Sequence, residues 1–307
     1  EERKFPVGRL GLFASPASEG KKLQFMGAEY TVKTLTDNFY KGFDVALFSA
    51  GAEVSGKFGL LAAGGGVTVI DNSSRFRRDN YPLIVPEINS DAYGGERIIA
   101  NPNCSTIQAV LPLAALRRYG LKRVNYVTFQ SVSGSGQKGI SALKRTLNDF
   151  YPYDITKTCL PAIGDFDLSG SSAEENKMIF ETRKILGLKD LKVSATCVRV
   201  PVERCHGVSV AAEFEKPVSV GEARELIAKF PGVILCDNPR KGVYPNSVVA
   251  GGRDEVYVGR IREDRSKENG ILFYCVADNI RKGAATNAVQ IAETVVGSPF
   301  FTPASRC

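Results

Sequence analysis

The 307 residues contain a single histidine. That scarcity argues against a histidine-built metal centre, and the absence of any Cys-x-x-Cys pair removes the common zinc spacings as well. Long apolar runs are also missing. Stretches such as VILC at 233–236 fall far short of the roughly 18 consecutive apolar residues a membrane span needs. The opening EERKFPVGRL is no signal peptide, because no apolar h-region follows its charges. There is no internal repeat and no low-complexity segment. A clustered basic face is lacking too. The 40 Lys and Arg outnumber the 33 Asp and Glu, for a net charge of +7, but acidic residues are dispersed among them. The excess reads as a solvated surface with some cationic pockets for anionic ligands, and not as a nucleic-acid interface. The cysteines are Cys104, Cys159, Cys197, Cys205, Cys236, Cys275 and Cys307. An odd, scattered set without an export signal points to reduced thiols in a cytoplasmic protein.

What is present suits two domains, at roughly 100–200 residues each. FDVALFSA (43–50) and VTVIDNSS (67–74) are short apolar runs with a helical, glycine-stopped segment, EVSGKFGLLAAGGG, between them. That is a βαβ unit and predicts a parallel sheet. ERIIAN (96–101) is a third strand and leads into NPNCSTIQAV (101–110). The helix after Cys104 is predicted to run to about Tyr119, with Gly120 as its cap.

The middle of the chain is different. RVNYVTFQSVS, KVSATCVRV, GVSVAAEFE, EVYVGRI and GILFYCVA are rich in β-branched and aromatic residues. Helices are predicted over 137–150, 173–186 and 220–230, and Ser172 with Glu175 and Ser219 with Glu222 form capping-box pairs at two of their starts. This pattern predicts α+β, a mixed or antiparallel sheet with helices on one face. The last segment, KGAATNAVQIAETVVG, reads as a helix closed by Gly297 that returns to the first domain.

Cys104 follows Asn-Pro-Asn at the start of a helix and at the carboxyl edge of a parallel sheet, where open α/β folds bind ligands. Unpaired N–H groups and the helix dipole at that point favour a thiolate, and the same N–H groups could hold an oxyanion. The plainer alternative is a small buried residue at a turn. A reactive thiol needs a proton carrier, and His206 is the one histidine available. Arg199 ends a strand and Arg77 follows one, so either is a surface cation or an anion contact. Glu174 and Lys177, three apart on a helix, face the same way and would otherwise form a minor surface pair.

NPNCST, FQSVSGSGQKG, EENKM, RVPVERCHGVSV, VGRIRED and DNIRKGAATNAVQIAE together, and in this order over nearly the whole chain, resemble the aspartate-semialdehyde dehydrogenase family. The resemblance implies an α/β plus α+β architecture. Residues 1–103 and 278–307 would form a Rossmann-like dinucleotide-binding domain, truncated at its N-terminus, and 104–277 a mixed-sheet catalytic and dimerisation domain. It implies NADP-dependent reductive dephosphorylation of L-aspartyl 4-phosphate to L-aspartate 4-semialdehyde, through a cysteine thioester, in aspartate-family amino-acid biosynthesis. It further implies a cytoplasmic homodimer whose partners are its small-molecule substrates and phosphate, with no nucleic acid, membrane or metal. By position, Cys104 resembles the nucleophile, His206 the acid/base and Gln130 the residue that orients the substrate. Glu174 and Arg199 resemble the clamp on the substrate ammonium and carboxylate, Arg77 and Lys177 the phosphate site, and Asn103 lines the pocket. Ser49, Ala50, Gly51, Ser133, Gly134, Gly136 and Asn279 resemble cofactor contacts. The substrate's carboxylate, ammonium and phosphate match two arginines, a lysine and a glutamate.

The sequence departs from the family pattern twice. No Gly-x-x-Gly-x-x-Gly turn is present, and EERKFPV resembles the end of the helix that follows that turn, so a shortened N-terminus is expected. In FASPASEGKK (13–22), Pro16 and Ala17 stand where the family often has an arginine beside a serine. Ser15, Ser18 and Lys21 remain to meet a 2′-phosphate, and NADP is the expected cofactor over NAD. The alternatives are N-acetyl-glutamyl-phosphate reductase, whose substrate has no free ammonium to need Glu174, and a non-catalytic dimeric relative, which should have lost Cys104 or His206.

Overall fold

The computed structural model describes residues 1–297; Cys307 and the other nine C-terminal residues of the expected first domain lie outside the described residues. The described residues divide into two compact units, Glu1–Ile84 with Asp91–Asn101 and residues 288–297, and Val85–Ser90 with Pro102–Asn287.

The first unit is built on three parallel strands in sequence order: β1 (Val45–Phe48), β2 (Thr68–Asp71) and β3 (Ile98–Ala100). A helical segment over 52–64, with a wider turn at Ser55–Gly59, links β1 to β2 as the βαβ pattern predicts. Every residue of β2 is buried, as expected of a central strand covered on both faces. The C-terminal helix Thr286–Val295 does pack on this sheet: Ala288, Ile291 and Ala292 share a core with Ile70, Ile84 and Ile99. Gly297 follows that helix with φ +71°.

The second unit opens with α1 (Cys104–Ala115). Its residues Ser105 to Ala114 are all buried, so the helix is covered on every side and lies inside the unit. Fully covered side chains such as Ile107, Leu111 and Leu113 contribute about 1.5–3 kcal/mol each. The helix stops earlier than the sequence suggests. Its interior Pro112 is tolerated, the α-helical bonding ends at Ala115, and a tighter turn, Arg117–Tyr119, carries the chain to Gly120 at φ +73°.

A six-stranded sheet follows. Its strands are β4 (Leu121–Gln130), β5 (Lys192–Arg199), β6 (His206–Phe214), β7 (Val233–Leu235), β8 (Val256–Glu263) and β9 (Gly270–Ala277). The order is β7-β8-β9-β6-β4-β5. The outer pairs β7–β8 and β4–β5 are parallel and the inner pairings antiparallel, so the sheet is mixed. Helix α1 packs on β6, β8 and β9, with α3 (Ala173–Leu186) on one flank and α4 (Val220–Lys229) on the other. The three form one helical layer. Both predicted capping boxes are formed.

The predicted helix over 137–150 is shorter, α2 (Gly136–Leu143). Beyond it Arg145 and Asp149 adopt left-handed backbone at φ +57° and +59°, and the Thr146 N–H and hydroxyl both turn back to Ser141 O. Local side-chain bonding of this kind competes with helix continuation.

Candidate active site

Cys104 begins α1, and Asn103 immediately before it is the helix N-cap. Asn103 uses every polar group it has. Its Oδ1 accepts from the Ser105 and Thr106 amides at 3.0 and 3.2 Å, its Nδ2 donates to Glu174 Oε1 at 2.7 Å, and its own N–H donates to Glu181 Oε2 at 2.6 Å. This corrects one expectation. The Ser105 and Thr106 amides at the helix start are not open to an oxyanion, because the Asn103 cap holds both, and Ile107 N donates to Asn103 O at 2.9 Å. On the other side of Cys104, a Cβ added to Gly283 would stand 2.8 Å from the cysteine Cβ, so only glycine allows that close approach.

Glu174, in the first turn of α3, is 6% exposed and gathers three donors. They are Asn103 Nδ2 at 2.7 Å, Gln130 Nε2 at 3.2 Å and Lys177 Nζ at 3.1 Å. Burial by itself would raise this carboxyl, but the Lys177 charge and the hydrogen bonds from Asn103, Lys177 and Gln130 outweigh it and hold the group below its ordinary value. The pair with Lys177 is therefore a half-buried structural contact with a 7% exposed carboxylate side chain, and not a solvated surface pair.

Gln130 ends β4, Arg199 ends β5 and His206 begins β6, so three neighbouring strands deliver them to one end of the sheet. His206 is fully buried. The residue before it, Cys205, has φ +74°, a conformation that costs a non-glycine residue roughly 1–3 kcal/mol. Its N–H donates to Asn279 Oδ1 at 3.0 Å. Gln108, one helical turn beyond Cys104, donates through Nε2 to the His206 carbonyl at 2.9 Å and ties the cysteine helix to the histidine strand. Burial first, then the neighbouring Arg199 guanidinium, pull the imidazole down to about 3 against the opposing pull of Glu174 and Asp278.

Ser131 joins these parts. Its N–H donates to His206 Nδ1 at 3.0 Å and its carbonyl accepts from Arg199 Nη1 at 2.6 Å. Its hydroxyl lies 3.0 Å from both His206 Nδ1 and Ser133 Oγ, and 3.2 Å from Asn279 Oδ1. Asn279 Nδ2 in turn donates to Ser133 Oγ at 2.9 Å. Gly134 borders the same point: a Cβ there would stand 2.8 Å from Arg199 Nη1 and 3.1 Å from His206 Nε2. Gly136 follows, with φ +70°.

The structure thus brings Cys104, Asn103, Gln130, Glu174, Lys177, Arg199, His206, Ser133, Gly134, Gly136 and Asn279 into the second unit. Ser131, Glu181, Gln108 and Gly283 escaped the sequence reading. Glu181 carries a signal, since it lies seven residues after Glu174 on the same helix and so on the same face. Ser131 carries none beyond its place in FQSVSGSG.

The remaining predicted residues belong to the first unit. Arg77 lies in the loop after β2, 8% exposed, with Nη2 donating to Asn72 O at 2.7 Å. That loop is braced by the buried Asp71 carboxylate, which accepts from the Ser55 and Ser73 hydroxyls at 2.7 and 2.6 Å. Ser49, Ala50 and Gly51 are exposed at the carboxyl end of β1, and Gly51 has φ +94° with open space where a Cβ would stand. Lys21 Nζ lies 3.4 Å from Ser18 Oγ, and Ser15 precedes the turn Pro16–Ser18. No group of three or more possible metal ligands exists among the described residues, and no described helix is long and apolar enough to cross a membrane. A surface groove of about 820 Å³ at the opposite end of the six-stranded sheet, lined by Lys122, Lys189, Lys192, Glu213 and Lys267 among others, contains none of the site residues.

A thiol at a capped helix start, a buried histidine and a buried guanidinium lie in the unit built on the mixed sheet, and the other unit is parallel-stranded, a combination that suits a two-domain semialdehyde dehydrogenase. The family models agree: the semialdehyde dehydrogenase NAD binding domain matches residues 1–95 and the semialdehyde dehydrogenase dimerisation domain residues 111–282. The chain is 50% identical to the aspartate-semialdehyde dehydrogenase of Aquifex aeolicus, over 96% of this chain and 92% of that one. It is 45% identical to the Legionella pneumophila protein of the same name, over 95% and 89%. A crystal structure of aspartate semialdehyde dehydrogenase II complexed with ASA from Vibrio cholerae superimposes with a TM-score of 0.93 at 41% identity, covering 97% of this chain and 93% of that one. The chain belongs to the aspartate-semialdehyde dehydrogenase family and is an oxidoreductase.

Proposed function

We propose that the chain converts L-aspartyl 4-phosphate to L-aspartate 4-semialdehyde with NADP as cofactor, as a cytoplasmic homodimer serving aspartate-family amino-acid biosynthesis. Residues 1–103 and 278–307 carry the cofactor, and 104–277 carry the chemistry and the dimer contact.

The observation that carries this reading is Arg199. It is 4% exposed, its one side-chain hydrogen bond is to the Ser131 carbonyl, and no carboxylate among the described residues pairs with it. A buried cation without a counter-ion is costly, and its remaining N–H groups form a planar fork suited to a carboxylate. Arg199 takes the substrate α-carboxylate. Glu174, held ionised by its neighbours, receives the substrate ammonium. Lys177 and Arg77 meet the phosphate, Gln130 orients the acyl group, Asn103 lines the pocket, Cys104 is the nucleophile and His206 the acid/base.

The cofactor fits the residues present. The open approach to the Gly51 main chain, and the pairing of Lys21 with Ser18, offer donors for phosphate groups. Ser15, Ser18 and Lys21 would hold the 2′-phosphate, and Ser49, Ala50, Gly51, Ser133, Gly134, Gly136 and Asn279 the rest. When bound, the reduced nicotinamide supplies the hydride that turns the thioester into the aldehyde.

The test is phosphate-dependent reduction of NADP by the purified protein with L-aspartate semialdehyde. Turnover of that substrate is expected. Turnover of N-acetyl-glutamate semialdehyde in its place would reassign the enzyme, and no turnover of either would refute the reading.

A further inference from the structure

We propose that the buried ion pair of Lys282 with Glu87 positions the nucleophile: the pair fixes a turn of the main chain whose Gly283 backs Cys104. The inference rests on the reading of Cys104 as the nucleophile and adds what holds that thiol in place.

The side chains of Lys282 and Glu87 are 1% and 2% exposed. Lys282 Nζ donates to both Glu87 oxygens at 2.8 Å and to Asn287 Oδ1 at 3.0 Å, so all three of its N–H groups are used. Glu87 sits on the one-turn helix Pro86–Asn89, in the segment Val85–Ser90 that belongs to the second unit, as Lys282 and Asn287 do. Taking two charges out of water is expensive, and apolar side chains of similar volume often stabilise a fold as well or better. Stability alone therefore gives no reason for the pair. A three-point contact does supply a fixed position.

What it fixes is the wide turn Arg281–Ala285. Amides in this turn reach back five residues, Gly283 N to Asp278 O at 3.1 Å and Ala285 N to Ile280 O at 3.0 Å. Such turns are rare and recur at functional sites. The entry to the turn is held by Asp278 Oδ1, which accepts from the Ile280 and Arg281 amides at 3.0 and 3.3 Å, and by Arg281 Nε, which donates to Asp254 Oδ1 at 2.7 Å. Lys282 holds the next residue, immediately before Gly283. At Gly283 the turn meets the site: an added Cβ would stand 2.8 Å from Cys104 Cβ and 3.3 Å from its Cα. The main chain of the turn is thus the wall against the nucleophile, and a shift of the wall changes where the sulfur can stand. The substrate clamp is carried by other elements, Arg199 by β5 and Glu174 by the first turn of α3. Loosening the turn should therefore slow the chemical step more than it weakens substrate binding.

The test compares variants of the full chain. Lys282→Met strands the Glu87 charge and should lower Tm by roughly 10 °C. Glu87→Leu combined with Lys282→Met removes both charges and should return Tm to within a few degrees of wild type. Its kcat with the semialdehyde should nevertheless stay at least about tenfold down, while KM moves less than about threefold. Wild-type kcat in the double variant would overturn the proposal, because the pair would then serve the fold alone, and so would a loss confined to KM. Gly283→Ala presses on Cys104 from the same turn with the ion pair intact, and should give the same split between kcat and KM. Wild-type kcat in that variant would overturn the proposal even if the double variant did not fold, because the turn would then not govern the thiol. An inactive wild-type enzyme would defeat the functional reading instead. Crystal structures of wild type and the double variant would still decide the positioning role: a turn displaced from Cys104 supports it, and an unmoved turn overturns it.

Discussion

Replacing Gly134 with alanine adds one methyl group at the point where Arg199 and His206 meet. The new Cβ would stand 2.8 Å from Arg199 Nη1 and 3.1 Å from both Cε1 and Nε2 of His206. Ordinary contact begins near 3.4 Å, so the guanidinium has to retreat by roughly half an ångström. Arg199 is anchored at 2.6 Å to the Ser131 carbonyl, which also accepts from Gly134 N at 3.2 Å. Any retreat therefore stretches the bonds that position the site. Overpacking of this kind costs about 1–3 kcal/mol, and displacement of a substrate clamp by that distance costs roughly 10–100-fold in kcat/KM. The expected outcome is a kcat/KM for the semialdehyde down by one to two orders of magnitude, with Tm lower by only a few degrees. Gly221→Ala makes the same chemical change on α4, where a Cβ would meet nothing closer than Ser219 Oγ at 3.9 Å. That variant should leave kcat/KM unchanged. Steady-state kinetics and calorimetry on both proteins decide the matter, and a Gly134→Ala enzyme with wild-type kcat/KM would refute the reasoning.

Arg199→Lys keeps the charge but loses the fork, and should raise KM for the semialdehyde about 10–100-fold with a smaller effect on phosphate, whereas Lys177→Met should mainly weaken use of phosphate. Identical effects of both variants on both KM values would defeat that division of labour. The pH dependence of stability carries a His206 signature. Its folded pKa, about 3, lies below the ordinary 6.5, so the unfolded chain binds the extra proton and stability is lost as pH falls below about 6.5. Between pH 6.5 and 5 that amounts to roughly 1–2 kcal/mol. Denaturant titrations should show this slope in wild type and a flatter one in His206→Gln. Limited alkylation with peptide mapping should label Cys104 ahead of Cys205 and Cys197, whose thiols burial pushes up to about 12; preferential labelling of Cys205 would count against Cys104 as the nucleophile.

Much of this molecule is legible in its sequence because periodicity and caps are local. The βαβ unit, the strands of the mixed sheet and both capping boxes depend on residues a few positions apart. The errors arise where a distant or small contact decides. Helix 137–150 ends at Leu143 because Arg145 and Asp149 take left-handed backbone. The Ser105 and Thr106 amides at the start of α1 are occupied by the side chain of the very Asn103 that the motif places next to the cysteine. Nothing in the neighbours of Ser131, between Gln130 and Ser133, announces that its amide faces a ring 75 residues away.

That separation has a consequence for how activity appears in time. Asn103 is bonded to Glu174 and Glu181 across 71 and 78 residues, Gln130 to Glu174 across 44, and Gln108 to His206 across 98. Contacts this far apart in the chain form late, because each closes a long loop before it is rewarded. During refolding, α1 could become helical while the thiol still has no defined surroundings. Recovery of enzymatic turnover should therefore follow the slowest folding phase and lag behind helix formation, which makes Cys104 a reporter on completion of the whole second unit.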